Sequence, residues 1–219
     1  MKRMLIAVVL AVAVVAGLVA WVVATPSEEK AKAQPGATPA STSPSPAERT
    51  TPSPKPQPRS PKCPARVARS FAPRTISVAG VTGPTPVMTP PRDAAGVPGI
   101  PPLSSAGKAI FAWDREQGIR PGDRRGNVLL NAHTWPDGSA LGNRLLDGLD
   151  RGDRILVRGA DSRLCYRVTE RVEVLAEDGL PRYYAKDGRS QLAIVVCSGR
   201  RLGPGVWEKR TIWFASPAA

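Results

Sequence analysis

From Arg66 onward the chain is cut into short apolar runs, each closed by a turn signal. The runs are "TISVAG", "NVLLNAH", "RILVRG", "LCYRVTERVEVL", "LAIVVC" and "RTIWFA", and "PDG", "DRGD", "EDG", "KDG" and "GPG" separate them. Valine- and isoleucine-rich runs at this spacing leave little room for long helices and predict an all-β barrel or sandwich. Within "RILVR" the apolar Ile155 and Val157 alternate with Arg154 and Arg158, the period-2 pattern of a strand buried on one face. The clearest helical exception is "ALGNRLLDGL" (140–149), where Leu141, Leu145, Leu146 and Leu149 recur at helical spacing.

What precedes this region cannot make a core. Residues 25–65 hold 11 of the chain's 24 prolines among Ser, Thr, Ala and Lys, with no apolar periodicity. Such a stretch favours extended polyproline II at about 3.1 Å per residue, so forty residues reach up to ~120 Å. Before it, residues 5–24 run without a charge after Lys2 and Arg3. Twenty helical residues span about 30 Å, the hydrocarbon thickness of a bilayer. A cleaved signal peptide usually has an apolar region of only about 7–15 residues, and here Pro26 follows the candidate site, so an uncleaved signal anchor is the preferred reading. The basic start then holds the N-terminus in the cytoplasm and places the rest outside the cell. Three segments result: 1–24 as cytoplasmic start and transmembrane anchor, 25–65 as linker, and 66–219 as one folded domain.

Net charge is +13, from 31 Lys and Arg against 18 Asp and Glu. This suits an anionic partner such as nucleic acid, anionic lipid or an acidic wall polymer, and charge by itself does not choose among them. With a single histidine and no close cysteine pair, a zinc site is disfavoured, and Asp147, Asp150 and Asp153 read as a solvated turn rather than a calcium loop. "GRRLGPG" lacks the spacing of a phosphate loop and reads as the bend of a hairpin, with Arg200 and Arg201 as loop charges. No cofactor is implied.

Three cysteines, Cys63, Cys165 and Cys197, leave at least one thiol unpaired within the chain. A Cys63–Cys165 pair would pin the end of the linker to the barrel and leave Cys197 free; sequence does not supply the Cα separation that decides it. Cys197 ends the apolar run "LAIVVC", and a small buried hydrophobe is its ordinary reading. Folding the chain about "GPG" (203–205), however, sets Cys197 across from Arg210, and cross-strand partners share a face. A guanidinium there favours a thiolate or a developing oxyanion. His133, the sole histidine, closes "VLLNAH" and opens the loop "TWPDG", a place where functional residues concentrate.

A histidine at a strand end, a cysteine after an apolar strand and an arginine on the next strand, behind an N-terminal apolar segment, together resemble a sortase. "AHTW" (132–135) and "RTIWFA" (210–215) are similar to the class F sortases of actinobacteria, and the likeness runs over about residues 66–217. The resemblance implies a closed eight-stranded sortase-type β-barrel and a membrane-anchored cysteine transpeptidase. Its substrate would be a Leu-Pro-x-Thr-Gly-like (LPxTG-like) sorting signal of secreted proteins, cut between Thr and Gly through a thioester. A peptidoglycan-precursor amine or water would be the acceptor, the membrane would be engaged through the N-terminal helix, and nucleic acid would play no part. Carried over residue by residue, Cys197 is the nucleophile, His133 the general acid and later base, and Arg210 the substrate and oxyanion holder. Trp135, beside His133, is a groove-lining candidate, with a core aromatic as the competing reading. Sortases commonly carry Thr before the cysteine, and this chain has Val196. The reading from another class is a non-catalytic extracellular β-domain that binds wall polymer or anionic lipid, with Cys197 structural. An L,D-transpeptidase is disfavoured because its Ser-His-Gly run before the cysteine is missing.

Overall fold

The computed structural model describes residues 63–219. The expected membrane anchor and nearly all of the expected linker lie outside these residues, and no helix within them is long and apolar enough to cross a membrane. The described residues form one folded unit.

Eight strands make up this unit: β1 (Thr75–Val78), β2 (Thr82–Met88), β3 (Phe111–Trp113), β4 (Asn127–Ala132), β5 (Arg154–Arg158), β6 (Arg163–Leu175), β7 (Gln191–Gly203) and β8 (Val206–Pro217). They close into a barrel in the order β1-β2-β3-β4-β7-β8-β6-β5. Closure leaves no unpaired edge, so the unit satisfies its own ladder hydrogen bonds. β2 carries Pro84 and Pro86, residues that weaken any strand pattern in the sequence, and β3 is only three residues long. Neither stood out from sequence.

Period-2 alternation fills the barrel. Val128 and Leu130 of β4, Ile155 and Val157 of β5, Leu192 and Ile194 of β7, and Trp213 of β8 join one buried interior cluster. Removing each such side chain from water contributes about 1.5–3 kcal/mol. The helix α1 (Leu141–Gly148) lays Leu141 and Leu145, with Leu149 at its end, into the same cluster. Trp213 Nε1 donates to the Leu149 carbonyl oxygen at 2.7 Å, which satisfies the one polar atom of that indole.

The outer face of β4, β7 and β8 is also covered. Leu129, Ala193, Ile212 and Phe214 form a second apolar cluster beneath Tyr183, which lies in a 3-10 turn, Pro181–Tyr184. Tyr183 Oη donates to the Leu130 carbonyl oxygen at 3.1 Å. With both faces packed, and a parallel partner in β7, β4 has no exposed residue from Asn127 to Ala132. This is why "NVLLNA" reads as a continuous rather than an alternating run.

Candidate active site

Strand alternation places the three chemically suggestive residues on one face. In β7 the even residues Leu192, Ile194 and Val196 point into the barrel, so Ala193, Val195 and Cys197 point out. In β8 Trp213 and Ala215 point in, so Arg210, Ile212 and Phe214 point out. β4 runs parallel to β7 with Ala132 opposite Val196, and one step further along both chains brings His133 alongside Cys197. On the other side of β7, Cys197 and Arg210 are direct Cα partners. Cys197 therefore lies between a histidine just past the end of β4 and an arginine within β8.

The pairing of Cys197 with Arg210 depends on irregularities in the hairpin. The turn itself is Pro204–Gly205, with Gly203 opposite Val206, and a regular ladder from there would bring Ile212 across from Cys197. Two register shifts, between Ser198 and Arg201 and between Arg201 and Gly203, restore Arg210 as the partner. Gly199 sits in the first shift at φ +72°, the left-handed region that a side-chain-bearing residue enters only with strain. The irregular "SGRRLG" is thus what aims the arginine at the thiol.

The polar partners fix the orientation of each group. His133 Nε2 lies 2.6 Å from the Pro101 carbonyl oxygen, which only accepts, so Nε2 carries the proton and Nδ1 is the basic nitrogen. The His133 carbonyl oxygen accepts from Gly142 N at 2.7 Å, at the start of α1. That approach needs a glycine: a Cβ at position 142 would fall 2.5 Å from the His133 oxygen and 2.6 Å from Thr134 Oγ1. Thr134 Oγ1 donates to the Cys197 carbonyl oxygen at 2.6 Å and so ties the histidine loop to the cysteine strand. Arg210 Nη1 donates to the carbonyl oxygens of Lys209 at 2.9 Å and Trp207 at 3.3 Å. Burial pushes the Cys197 thiol above the ordinary cysteine range, and the Arg210 charge opposes this without cancelling it.

All three residues line a cleft of about 640 Å³. Leu180, Tyr183, Val195 and Ile212 contribute to its apolar lining, together with Val97, Ile100 and Leu103 from the loop between β2 and β3. That proline- and glycine-rich loop is therefore part of the groove. It is held by main-chain contacts, Gly99 O accepting from Asn131 Nδ2 at 2.9 Å and Pro101 O from His133, and by the ion pair of Arg92 with the buried Asp114. Trp135 lines the cleft as well, with Lys108 Nζ 4.2 Å above its ring, and Asn143 exchanges hydrogen bonds with its backbone N and O. Arg201 reaches the cleft lining; Arg200 instead pairs with Glu208.

Cys63 and Cys165 are joined as a disulfide, with Cα atoms 5.7 Å apart, and Cys197 is the remaining thiol. Sequence reasoning missed Thr134, Asn131, Gly142 and the Pro101 carbonyl. Thr134 and Asn131 are neighbours of His133 in the chain and were within reach of a strand-parity count. Gly142 and Pro101 meet the histidine only through the fold.

Neither a protein-family model nor a curated protein sequence matches the chain. Solved structures do. A pilus-related sortase C of Group B Streptococcus aligns over 71% of this chain and 70% of its own, at 14% identity and a TM-score of 0.51. Sortase C-1 of Actinomyces oris aligns over 66% and 71%, at 16% identity and a TM-score of 0.51. Sortase C1 of Group B Streptococcus pilus island 1 aligns over 66% of this chain at 14% identity and a TM-score of 0.50, and the match spans 64% of that protein's length. At such identities the likeness is one of architecture, and with the closed strand order it establishes that this domain has the sortase fold.

Proposed function

We propose that the chain is a membrane-anchored cysteine transpeptidase of the sortase type, most like class F. The observation that carries this reading is the convergence of His133, Cys197 and Arg210 on one outward face of a sortase-fold barrel, in the lining of an apolar cleft. In this reading the cleft takes an extended Leu-Pro-x-Thr-Gly-like peptide. The Cys197 sulfur attacks the carbonyl carbon of the Thr–Gly bond, a C–S bond forms and the C–N bond breaks. Because burial keeps the thiol protonated, a base is required, and the free Nδ1 of His133 takes that proton and returns it to the leaving amine. Arg210, across the strand pair, carries the developing oxyanion and the substrate backbone. An amine from a peptidoglycan precursor then displaces sulfur from the thioester and yields its proton to His133; water in its place gives hydrolysis. Trp135 is assigned to the groove wall.

Residues 1–24 are assigned as a single-pass anchor with a cytoplasmic N-terminus, 25–65 as an extracellular linker, and 66–219 as the catalytic domain. Mass spectrometry of the protein incubated with sorting-signal peptides tests the reading directly. An acyl adduct on Cys197, with the mass of the peptide up to Thr, is the expected result, and no adduct with any peptide of the panel would reject it. The non-catalytic reading has one observation on its side, the burial that raises the thiol. A Cys197 that resists alkylation in the native fold at every pH would favour that reading.

A further inference from the structure

Away from the groove, the outer face of the β5–β6 hairpin carries two pairs of like charges. Arg158 is the Cα partner of Arg163, and Arg154 is the partner of Arg167, with Leu156 opposite Cys165 between them. All four arginines share a face, because Ile155, Val157, Leu164 and Tyr166 fill the barrel interior. The two pairs lie about 13 Å apart, four residues along the strands. Like charges directly opposite one another destabilise a sheet unless something neutralises them. Arg92, Arg171, Arg182 and Arg200 each reach a carboxylate, whereas none of these four does among the described residues. A cleft of about 650 Å³ opens on the same face, lined in part by Arg154, Arg158 and Arg163 and by no carboxylate.

The Cys63–Cys165 disulfide sits in the middle of this face, and Pro64 O accepts from Cys165 N at 2.9 Å. Cys63, the first described residue and the one that follows the proline-rich stretch, is therefore tied to the centre of the arginine patch. We infer that this face docks on the phosphate headgroups of an anionic lipid bilayer. Guanidinium forks match phosphate geometry, and each basic residue at an anionic surface strengthens binding roughly fivefold. The choice of lipid over another polyanion rests on the proposed membrane anchor; the cysteine chemistry plays no part in it. Docked in this way, the barrel turns β7, three strands around from β5, away from the membrane.

Sedimentation of the fragment 55–219, which keeps the whole described domain and lacks the apolar run, with lipid vesicles tests the inference. Vesicles of phosphatidylcholine with one third phosphatidylglycerol should bind it, vesicles of phosphatidylcholine alone should not, and 0.5 M salt should release it. Arg158→Gln with Arg163→Gln should weaken binding by roughly 25-fold. The same double variant should melt no lower than the parent, because a repulsive pair is removed. Cys197→Ala should bind as the parent does, so that loss of catalysis and loss of docking are read separately. Equal binding to neutral vesicles, unchanged binding of the folded double variant, or binding to soluble poly(glycerol phosphate) with none to anionic vesicles would overturn the inference.

Discussion

Cys197 of β7 and Arg210 of β8 are direct Cα partners, and two register shifts around Gly199–Gly203 bring them into line. The arginine lowers a thiol that burial raises, and the net position of the thiol stays above the ordinary cysteine range. Cys197→Ala removes a half-buried group from the outer face. It should abolish acyl-adduct formation and peptide cleavage and shift the melting temperature by only a few degrees. Retained cleavage would end the assignment of the nucleophile.

Arg210 separates charge from geometry. Arg210→Lys keeps the positive charge beside the thiol and loses the planar fork, so kcat/KM should drop about 10²-fold while alkylation of Cys197 at pH 7.5 changes little. Arg210→Met keeps bulk and removes the charge that lowers the thiol, so the thiolate fraction falls and alkylation slows as well. In the parent, the alkylation rate should climb with pH through pH 9 without a plateau. Full reactivity by pH 7 would contradict the raised thiol.

Gly142→Ala sets helix propensity against the site. Alanine is the better helix former, by up to about 0.8–1 kcal/mol in a helix interior and less in the first turn where Gly142 lies. Its Cβ, however, would meet the His133 carbonyl oxygen at 2.5 Å and Thr134 Oγ1 at 2.6 Å, and the loop that holds the histidine must shift. Activity should fall by one to two orders of magnitude with the fold retained, and wild-type turnover would show that the His133 position tolerates displacement.

Val196, where sortases commonly carry Thr, joins the barrel-interior cluster and also borders the cleft. Its Cα partner is Thr211, a fully buried residue whose hydroxyl has no hydrogen-bond partner among the described residues. Val196→Thr would place a second hydroxyl on the same face as the first, where cross-strand Thr pairs bond. Stability should stay within about 1 kcal/mol of the parent, where an unpartnered buried hydroxyl costs about 1–3 kcal/mol. A larger loss by chemical denaturation would mean that the two hydroxyls do not meet.

The disulfide spans 102 residues. Closing a loop of about 100 residues restricts the unfolded chain by up to about 4.7 kcal/mol, and removing a native bridge typically costs 2–5 kcal/mol. Cys63→Ser with Cys165→Ser should therefore lower stability by about that amount in urea titrations and leave the Cys197 alkylation rate in the native state unchanged. Equal stability would indicate strain that offsets the bridge.

The sequence by itself determined the β class, the inward and outward parity of "RILVR", and the stripe of Leu141, Leu145 and Leu149 that docks α1 on the barrel, because these follow from local periodicity. It also set the histidine at the close of β4 and the cysteine after an apolar run, whereas Cys197 and Arg210 lie within β7 and β8 rather than at their ends. Only the tertiary structure decided that β4 lies beside β7, that Asn131 and His133 hold the 97–103 loop by its carbonyls, and that Cys63 reaches Cys165. The sequence predicts the Cys197–Arg210 pairing, and the structure adds the two register shifts that preserve it in a hairpin turning at Pro204–Gly205. Strand order, bulges and the approach of distant backbone are settled by packing across many residues, and no local pattern in the chain encodes them.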